Sequence, residues 1–272
     1  MAFTSKYIAK KPDLNGYVDY TDAEHHVWRQ LFTRQIQCLP NRACDEFIQG
    51  LAILDYPSSQ LPQLNDVSAK LTQATGWSVV PVEALIPAAE FFRLLAQREF
   101  PAATFIRTPE DLDYVTEPDI FHELFGHCPL LTQPVYADFV QAYAQFVLAS
   151  DKNDWLLLQR LFWFTVEFGL INNPGGLRAY GGGILSSYSE TPYCIDSNKP
   201  QRKPFDVLTA LRTPYRIDML QNIYFVIQDY QQLYDILNLD LAALIHQARQ
   251  LGEYPPTFPV DPDSPSIHIH CC

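Results

Sequence analysis

Apolar residues recur at helical spacing along most of the chain. Thr21 and Glu24 have the spacing of a capping box, and Trp28, Leu31 and Ile36 follow at helical intervals. This pattern predicts a helix that begins after Thr21 and ends at the Leu-Pro pair 39–40. By the same reasoning, further helices are predicted at roughly 43–54, 60–75, 87–98, 119–126, 135–149, 153–171, 206–212, 217–235 and 239–251.

Only short segments have the pattern of a strand. Residues 77–82 and 103–107 are short and rich in β-branched or aromatic side chains. The stretch 172–204 contains repeated glycine and proline, so we predict that it is mostly loop. The pattern therefore predicts a mainly α fold with a few short strands. We expect an irregular N-terminal arm at 1–20, one helical domain at 21–252 and a C-terminal tail at 253–272.

Composition excludes several classes of function. The formal net charge is −12, which disfavours nucleic acid and anionic membranes as partners. No segment approaches the roughly 18–20 apolar residues that a membrane span needs, and the first residues lack the apolar core of a secretory signal. The six cysteines have no C-x-x-C spacing and are interpreted as reduced thiols. We therefore expect a cytoplasmic protein.

Two of the seven histidines lie in an unusual setting. His122 and His127 are interleaved with bulky apolar residues in the segment 118–127, and a metal ion would give both imidazoles a partner in a buried site. Zinc proteases place their histidines at i and i+4, whereas the i, i+5 spacing separates them by about 140° on an ideal helix. The pair can share one ion only if the helix ends or distorts, which Gly126 permits.

A third ligand is predicted from a lone carboxylate. Glu167 lies in the apolar segment 162–169, where an unpaired charge is costly. It is either a metal ligand or the partner of Arg160, Arg178 or a lysine. Taken with the histidine pair, the ligand hypothesis is favoured, because two histidines and one carboxylate form the facial triad of non-haem Fe(II) oxygenases.

Glu123 follows a predicted ligand and points about 100° away from it around a helix. It is therefore interpreted as a group that faces a cofactor or supports the ligands, or else as an exposed helix residue. Two other hypotheses remain open at this point. One is a zinc hydrolase with Glu123 as the base, and the other is a non-catalytic protein whose histidine pair is structural.

Several motifs in order give the chain a family resemblance. It resembles the pterin-dependent aromatic amino acid hydroxylases and is most similar to their short bacterial members. The motifs are the Thr-Gly-Trp at 75–77, Phe-Ile-Arg at 105–107, Glu-Pro-Asp-Ile-Phe-His-Glu-Leu-Phe-Gly-His at 117–127, Trp-Phe-Thr-Val-Glu-Phe-Gly at 163–169 and Ala-Tyr-Gly-x-Gly-x-Leu-Ser-Ser at 179–187.

The resemblance implies a helical catalytic domain that uses Fe(II), O₂ and tetrahydrobiopterin or a related tetrahydropterin. It implies hydroxylation of L-phenylalanine to L-tyrosine, with tyrosine or tryptophan as alternative substrates, by a monomer or weak homodimer. Arg107 would bind the substrate carboxylate. Asp119 would orient Arg107, or cap a helix, or do both.

The resemblance also supplies the remaining site residues. The substrate pocket would include Pro118, Trp163, Phe168, Gly183 and Ser186. The pterin would contact Ala84, Leu85, Ile86, Phe91 and Glu123.

Overall fold

Helices form most of the regular structure. The computed structural model describes residues 6–83, 85–115 and 117–259. Within those ranges, none of the helices has the length and apolarity that a membrane-spanning segment needs. The α-helices are α1 (Asp22–Cys38), α2 (Asp45–Leu54), α3 (Leu64–Thr75), α4 (Ala88–Ala96), α5 (Pro134–Ala149), α6 (Trp155–Phe162), α7 (Gly182–Leu185), α8 (Glu190–Asp196), α9 (Val207–Arg212), α10 (Tyr230–Asp235) and α11 (Leu241–Leu251).

Two further helical segments are π-helices, π1 (His122–His127) and π2 (Trp163–Glu167). Both carry predicted metal ligands. Single 3₁₀ turns lie at Pro109–Asp111, Leu130–Thr132, Lys152–Asp154 and Ile236–Asn238.

Local sequence signals explain several helix ends. The capping box is present at the start of α1, where Thr21 accepts from the backbone of Glu24 and Glu24 accepts from the backbone of Thr21. The end of α3 is set by Gly76, whose φ of 78° is a left-handed conformation that glycine adopts without strain. The predicted start of α1 and the predicted end of α3 are therefore confirmed.

The strands form two small sheets. β1 (Ser78–Val82) and β2 (Glu99–Ala103) pair in parallel across α4. The other sheet has the order β4-β3-β6-β5. In it β3 is antiparallel to β4 and parallel to β6, and β5 is parallel to β6. These four strands are β3 (Leu170–Asn173), β4 (Gly176–Ala179), β5 (Gln201–Pro204) and β6 (Ile223–Ile227).

Several predicted segments were wrong. The helix expected at 153–171 ends with π2 at Glu167, and its last two residues belong to β3. The strand expected at 103–107 lies earlier, at Glu99–Ala103. The helix expected at 217–235 is an irregular loop, then β6, then α10. Every residue of β6 is buried, so its continuous apolar run carries no alternation that would separate a buried strand from a buried helix. The expected loop 172–204 contains β4, α7, α8 and β5, elements too short for a periodic signal.

The described part of the N-terminal arm, residues 6–20, contains no helix or strand. It is held by specific contacts, since the ring of Tyr7 stacks on Phe105 at 4.6 Å and Thr104 donates to the carbonyl of Lys10. Residues 253–259 of the expected tail are mostly exposed, and 260–272 lie outside the described residues. The domain bounds proposed from the sequence stay a prediction.

A continuous apolar core extends from residue 18 to residue 248. The two π-helices lie against α7, and β2 also packs on π1. Because π1 and π2 both contact the same short helix, the predicted ligands of two distant sequence segments come together there.

Candidate metal centre and substrate pocket

Three predicted ligand atoms converge between the π-helices. Nε2 of His122 and Nε2 of His127 are 3.1 Å apart. Oε2 of Glu167 lies 3.3 Å from Nε2 of His127 and 3.8 Å from Nε2 of His122. Ligands bound at about 2.1 Å from one ion and at right angles to each other would be about 3 Å apart. The three atoms therefore have nearly the spacing that a shared ion requires.

The backbone explains how histidines five residues apart face each other. In a π-helix the hydrogen bonds connect i with i+5, so residues at this spacing lie one above the other. The same geometry recurs in π2, where the Phe168 N–H donates to the Trp163 carbonyl at 2.9 Å. The predicted distortion is thus present. Gly126 serves close packing, because a Cβ at this position would lie 2.6 Å from the Gly182 carbonyl oxygen.

Ser186 fixes the tautomer of His122. The Ser186 hydroxyl donates to the Gly182 carbonyl at 2.8 Å and lies 2.9 Å from Nδ1 of His122. Because its proton is used for Gly182, the hydroxyl accepts from Nδ1–H, which leaves the lone pair of Nε2 directed at the centre. Burial, with the neighbouring imidazole of His127, lowers the pKa of His122 to about 4. The neutral, metal-binding form is therefore favoured.

His127 is enclosed on its other side. Its Nδ1 is buried and makes no hydrogen bond within the part of the chain that the structure describes. A Cβ at Gly182 would lie 2.4 Å from the imidazole, so α7 approaches the ring as closely as a backbone can. The ring of Phe100 covers it at a centroid distance of 5.2 Å. Packing against Gly182 and Phe100 therefore sets the position of this predicted ligand.

Two buried carboxyl groups flank the histidines. Glu123 has an oxygen within 4.8 Å of ligand atoms of both imidazoles, and it is 4% exposed; its interpretation as an exposed helix residue was wrong. Burial, with the charges of Glu167 and Asp119, raises the pKa of Glu123 well above its usual range. Burial also acts to raise the pKa of Glu167, but the two imidazoles lower it overall.

Two observations support Glu167 as the predicted third ligand. Its Oε2 lies within ion-pair distance of both Nε2 atoms, and its ion-pair partners among the described residues are the two imidazoles. The alternative partners, Arg160 and Arg178, bond elsewhere: Arg160 to Glu253 and a backbone carbonyl, Arg178 to backbone carbonyls.

A buried ion pair stands next to the centre. Nε and Nη2 of Arg107 each donate to Asp119 at 2.8 Å, and the Arg107 backbone N–H donates to the same carboxylate. Asp119 also accepts from the His122 backbone N–H at 3.1 Å. It therefore both orients Arg107 and caps the helix that carries the first histidine, as the sequence allowed. Among the described residues Nη1 makes no hydrogen bond, which leaves a donor for a substrate carboxylate.

Aromatic rings form a wall beside the centre. The indole of Trp163 is 4.3 Å from Phe168 and 4.6 Å from Tyr215, at interplanar angles of 33° and 22°. Gly183 lies directly against the Phe168 ring. Pro118 is half-buried at the start of the segment that leads to π1. Such a set of rings is suited to a flat apolar side chain.

A family model described as biopterin-dependent aromatic amino acid hydroxylase matches residues 3–251. The chain belongs to the biopterin-dependent aromatic amino acid hydroxylase family. Membership favours the hydroxylase hypothesis over the zinc hydrolase and the structural histidine pair.

Individual relatives agree with the family. The chain is 49% identical over 256 residues to phenylalanine-4-hydroxylase of Pseudomonas aeruginosa. The aligned region covers 94% of this chain and 97% of the relative. It is similar to the solved structure of phenylalanine hydroxylase from Legionella pneumophila, with a TM-score of 0.91, 60% identity, and coverage of 92% of this chain and 100% of that one. The phenylalanine hydroxylase of Chromobacterium violaceum, solved with bound iron(III) and oxidised 7,8-dihydrobiopterin, gives a TM-score of 0.84 and 43% identity over 93% of each chain. The predicted helical hydroxylase fold is confirmed.

Three of the predicted pterin contacts lie in α4 or just before it. Phe91 is buried, with its ring edge-to-face against Phe92 and Phe162. Leu85 and Ile86 are half-buried between β1 and α4. Ala84 lies outside the described residues. The role of these residues toward the pterin stays a prediction.

Three residues that the sequence did not single out complete the wall. Tyr215 stacks on Trp163, Gln221 accepts from its indole N–H at 3.2 Å, and Glu190 accepts from the backbone of Gln221 at 2.9 Å. The first two lie in or next to the segment that was wrongly predicted as a helix. Glu190 carried one usable signal, since it is a lone carboxylate among serine, threonine and tyrosine residues just after the last family motif.

Proposed function

We propose that this chain hydroxylates L-phenylalanine to L-tyrosine with O₂ and a tetrahydropterin, at a mononuclear Fe(II) site bound by His122, His127 and Glu167. The observation that carries the proposal is the convergence of two imidazole nitrogens and one carboxylate oxygen within 3.8 Å of each other. Family membership and the names of the relatives support the reaction.

The residues fit an iron ion. Two neutral imidazoles and one carboxylate are the donor set of non-haem Fe(II) oxygenases, and three protein ligands leave coordination positions open. The two Nε2 atoms lie 3.1 Å apart beside a carboxylate in a buried site. A shared cation would bind both nitrogens and balance the carboxylate charge. Together, iron and the reduced pterin supply the activation of O₂ that ring hydroxylation requires.

The protein residues bind and orient the amino acid. Nη1 of Arg107 is the donor available for the substrate carboxylate, and Asp119 holds the guanidinium at a fixed angle to π1. The packed rings of Trp163 and Phe168 form one wall of the pocket for the aromatic side chain, with Pro118, Gly183 and Ser186 at its border. Their apolar surfaces exclude water from the reacting ring.

The indole wall favours phenylalanine over larger substrates. Trp163 is 8% exposed and is contacted by Phe168 and Tyr215, so it has little room to move for a second indole. We further propose that Phe91, Glu123 and the segment 84–86 bind the pterin.

The decisive experiment is an anaerobic Fe(II) titration followed by aerobic turnover of phenylalanine with a tetrahydropterin. Wild type is expected to bind one iron per chain and to form tyrosine. Glu167→Ala should lose both. A control is Asp138→Ala, which removes a carboxylate half-exposed at the surface and paired with Arg98, and it should retain both. Iron binding and tyrosine formation that survive in Glu167→Ala, or activity with zinc and no pterin, would refute the proposal.

We also propose that the enzyme works in the cytoplasm as a monomer or weak homodimer, with small molecules rather than nucleic acid or membranes as partners. The net charge of −12 and four buried, unbridged cysteines support this. The oligomeric state is tested by light scattering across a range of protein concentrations.

A further inference from the structure

The indole of Trp163 is fixed by a loop that does not contain any of the predicted substrate residues. The loop comprises residues 213–222 and is named the wall loop. The ring centroids of Phe168 and Tyr215 lie 4.3 and 4.6 Å from that of the indole, at interplanar angles of 33° and 22°. The indole N–H donates to Oε1 of Gln221 at 3.2 Å. Two packed rings and a hydrogen bond at the polar edge therefore hold the side chain.

The amide of Gln221 is itself held in one orientation. Its Nε2 donates to the carbonyls of Arg216 and Met219 at 2.7 and 3.1 Å. These two bonds identify the nitrogen end and direct the oxygen toward Trp163. Gln221 is 4% exposed. The two bonds of its nitrogen close the wall loop on itself, and its oxygen connects the loop to Trp163.

Glu190 anchors the wall loop to α8. Its Oε1 accepts from the Gln221 backbone N–H at 2.9 Å and from the hydroxyl of Tyr224 on β6. The side chain is 5% exposed, and burial raises its pKa to about 7. Burying a carboxylate costs desolvation free energy, which its hydrogen-bond donors offset in part. Its partners connect α8, β6 and the wall loop at the point where the loop holds Trp163.

We propose that Gln221 and Glu190 are positioning residues that determine which aromatic side chain the pocket accepts, by fixing the indole of Trp163 from behind. The inference rests on the proposed function, because it concerns the same pocket. Neither residue is among those proposed to touch the iron, the pterin or the amino acid. Their effect should therefore appear in the choice and coupling of substrate rather than in cofactor binding.

The test compares variants by the ratio of kcat/KM for phenylalanine to kcat/KM for tryptophan. Gln221→Met keeps the side-chain length and replaces the amide by a thioether, which is a weak acceptor. Because the indole N–H then lacks a good partner, this ratio should fall about fivefold or more. The fraction of oxidised pterin that yields hydroxylated amino acid should fall as well. The KM for the pterin and the iron stoichiometry should stay unchanged.

Glu190 provides a second, independent variant. Glu190→Leu leaves the acceptor of the indole in place but removes the anchor, and it should lower the same ratio. Glu190→Gln keeps an oxygen that can accept from Gln221 and Tyr224, so it should restore the ratio to within about twofold of wild type. A purely structural role of the carboxylate would instead give variants with a lower Tm and an unchanged ratio.

Gln63→Leu is the matched control. Gln63 exchanges two hydrogen bonds with the backbone of Val18 in the N-terminal arm rather than with the wall loop, so its loss should lower Tm without changing the ratio. Near-UV circular dichroism adds a readout that needs no turnover, because the stacked Trp163, Phe168 and Tyr215 rings should lose signal in Gln221→Met and not in Gln63→Leu.

The two proposals fail in different ways. Wild type that does not hydroxylate phenylalanine overturns the proposed function. An active wild type whose ratio and coupling are unchanged in folded Gln221→Met and Glu190→Leu overturns the positioning role. The positioning role is also overturned if Gln63→Leu changes the ratio as much as Gln221→Met does.

Discussion

Replacing Ser186 by alanine removes one hydrogen bond from a predicted iron ligand and one from the Gly182 carbonyl. The lost hydroxyl is the acceptor for Nδ1–H of His122, at 2.9 Å, and it is 7% exposed. Water therefore has little access to replace it. The imidazole can then rotate or adopt the other tautomer, in which Nε2 carries the proton and cannot bind a metal.

The size of the effect can be worked from that contact. A buried donor left without a partner costs about 1–3 kcal/mol, which corresponds to roughly 5- to 150-fold in affinity. Loss of an outer partner of a metal-bound histidine typically weakens metal affinity by about 10- to 100-fold. The two ranges overlap, so we expect Fe(II) to bind Ser186→Ala about 10- to 100-fold more weakly than wild type.

The assay is an anaerobic Fe(II) titration against a competing chelator, with Tm measured on the metal-free protein. Ser187→Ala is the matched control, because it makes the same change one residue along and its hydroxyl contacts Ser189 and the backbone of Glu190 rather than an imidazole. Equal iron affinity in Ser186→Ala and Ser187→Ala would show that the hydroxyl does not hold the ligand.

Three further changes test the rest of the site. Arg107→Lys should raise the KM for phenylalanine at least about tenfold, because an ammonium cannot make the paired bonds to Asp119. Gly182→Ala should weaken iron binding, because the new methyl group would lie 2.4 Å from the imidazole of His127. Glu190→Gln should remove part of the pH dependence of stability. With a folded pKa of about 7 against a usual 4.5, the wild-type carboxyl contributes stability that is complete below pH 4.5 and is lost as the pH rises through about 7, on the order of 3 kcal/mol.

Each of these has a measurement that decides it. For Arg107→Lys, it is steady-state kinetics with the pterin saturating, and an unchanged KM contradicts the assignment. For Gly182→Ala, it is the chelator titration, with Gly175→Ala as a control whose new methyl group would meet only the end of the Arg178 side chain. For Glu190→Gln, it is urea unfolding between pH 4.5 and 8, and parallel curves for variant and wild type contradict the linkage.

Sequence reasoning could name the predicted metal ligands because their signals are local. Two histidines in an apolar segment and one carboxylate in another are visible in short windows, and the i, i+5 spacing already required a distorted helix. The contacts that support them are not local. Ser186 reaches His122 across 64 residues, and Gln221 reaches Trp163 across 58. No spacing rule connects such positions, since the fold alone brings them together.

The errors in the fold have a similar origin. Residues 223–227 are buried on all sides, so their sequence lacks the alternation that identifies a half-buried strand. The elements between 172 and 204 have four to seven residues each, less than the windows in which periodicity can be recognised. Helices α1 and α3 were predictable because they are long enough to show periodicity and have residues that mark an end.

Because of the two π-helices, the number of residues between the predicted ligands matters as much as the identity of those ligands. Deleting one residue between His122 and His127 would give the i, i+4 spacing that an ordinary α-helix presents on one face, and an insertion would displace the second histidine by a further residue. In either case the three predicted ligands would be unchanged as residue types. The backbone hydrogen bonds that orient the two histidines toward each other would be rearranged. Relatives that retain this centre should therefore keep four residues between the two histidines, without insertions or deletions.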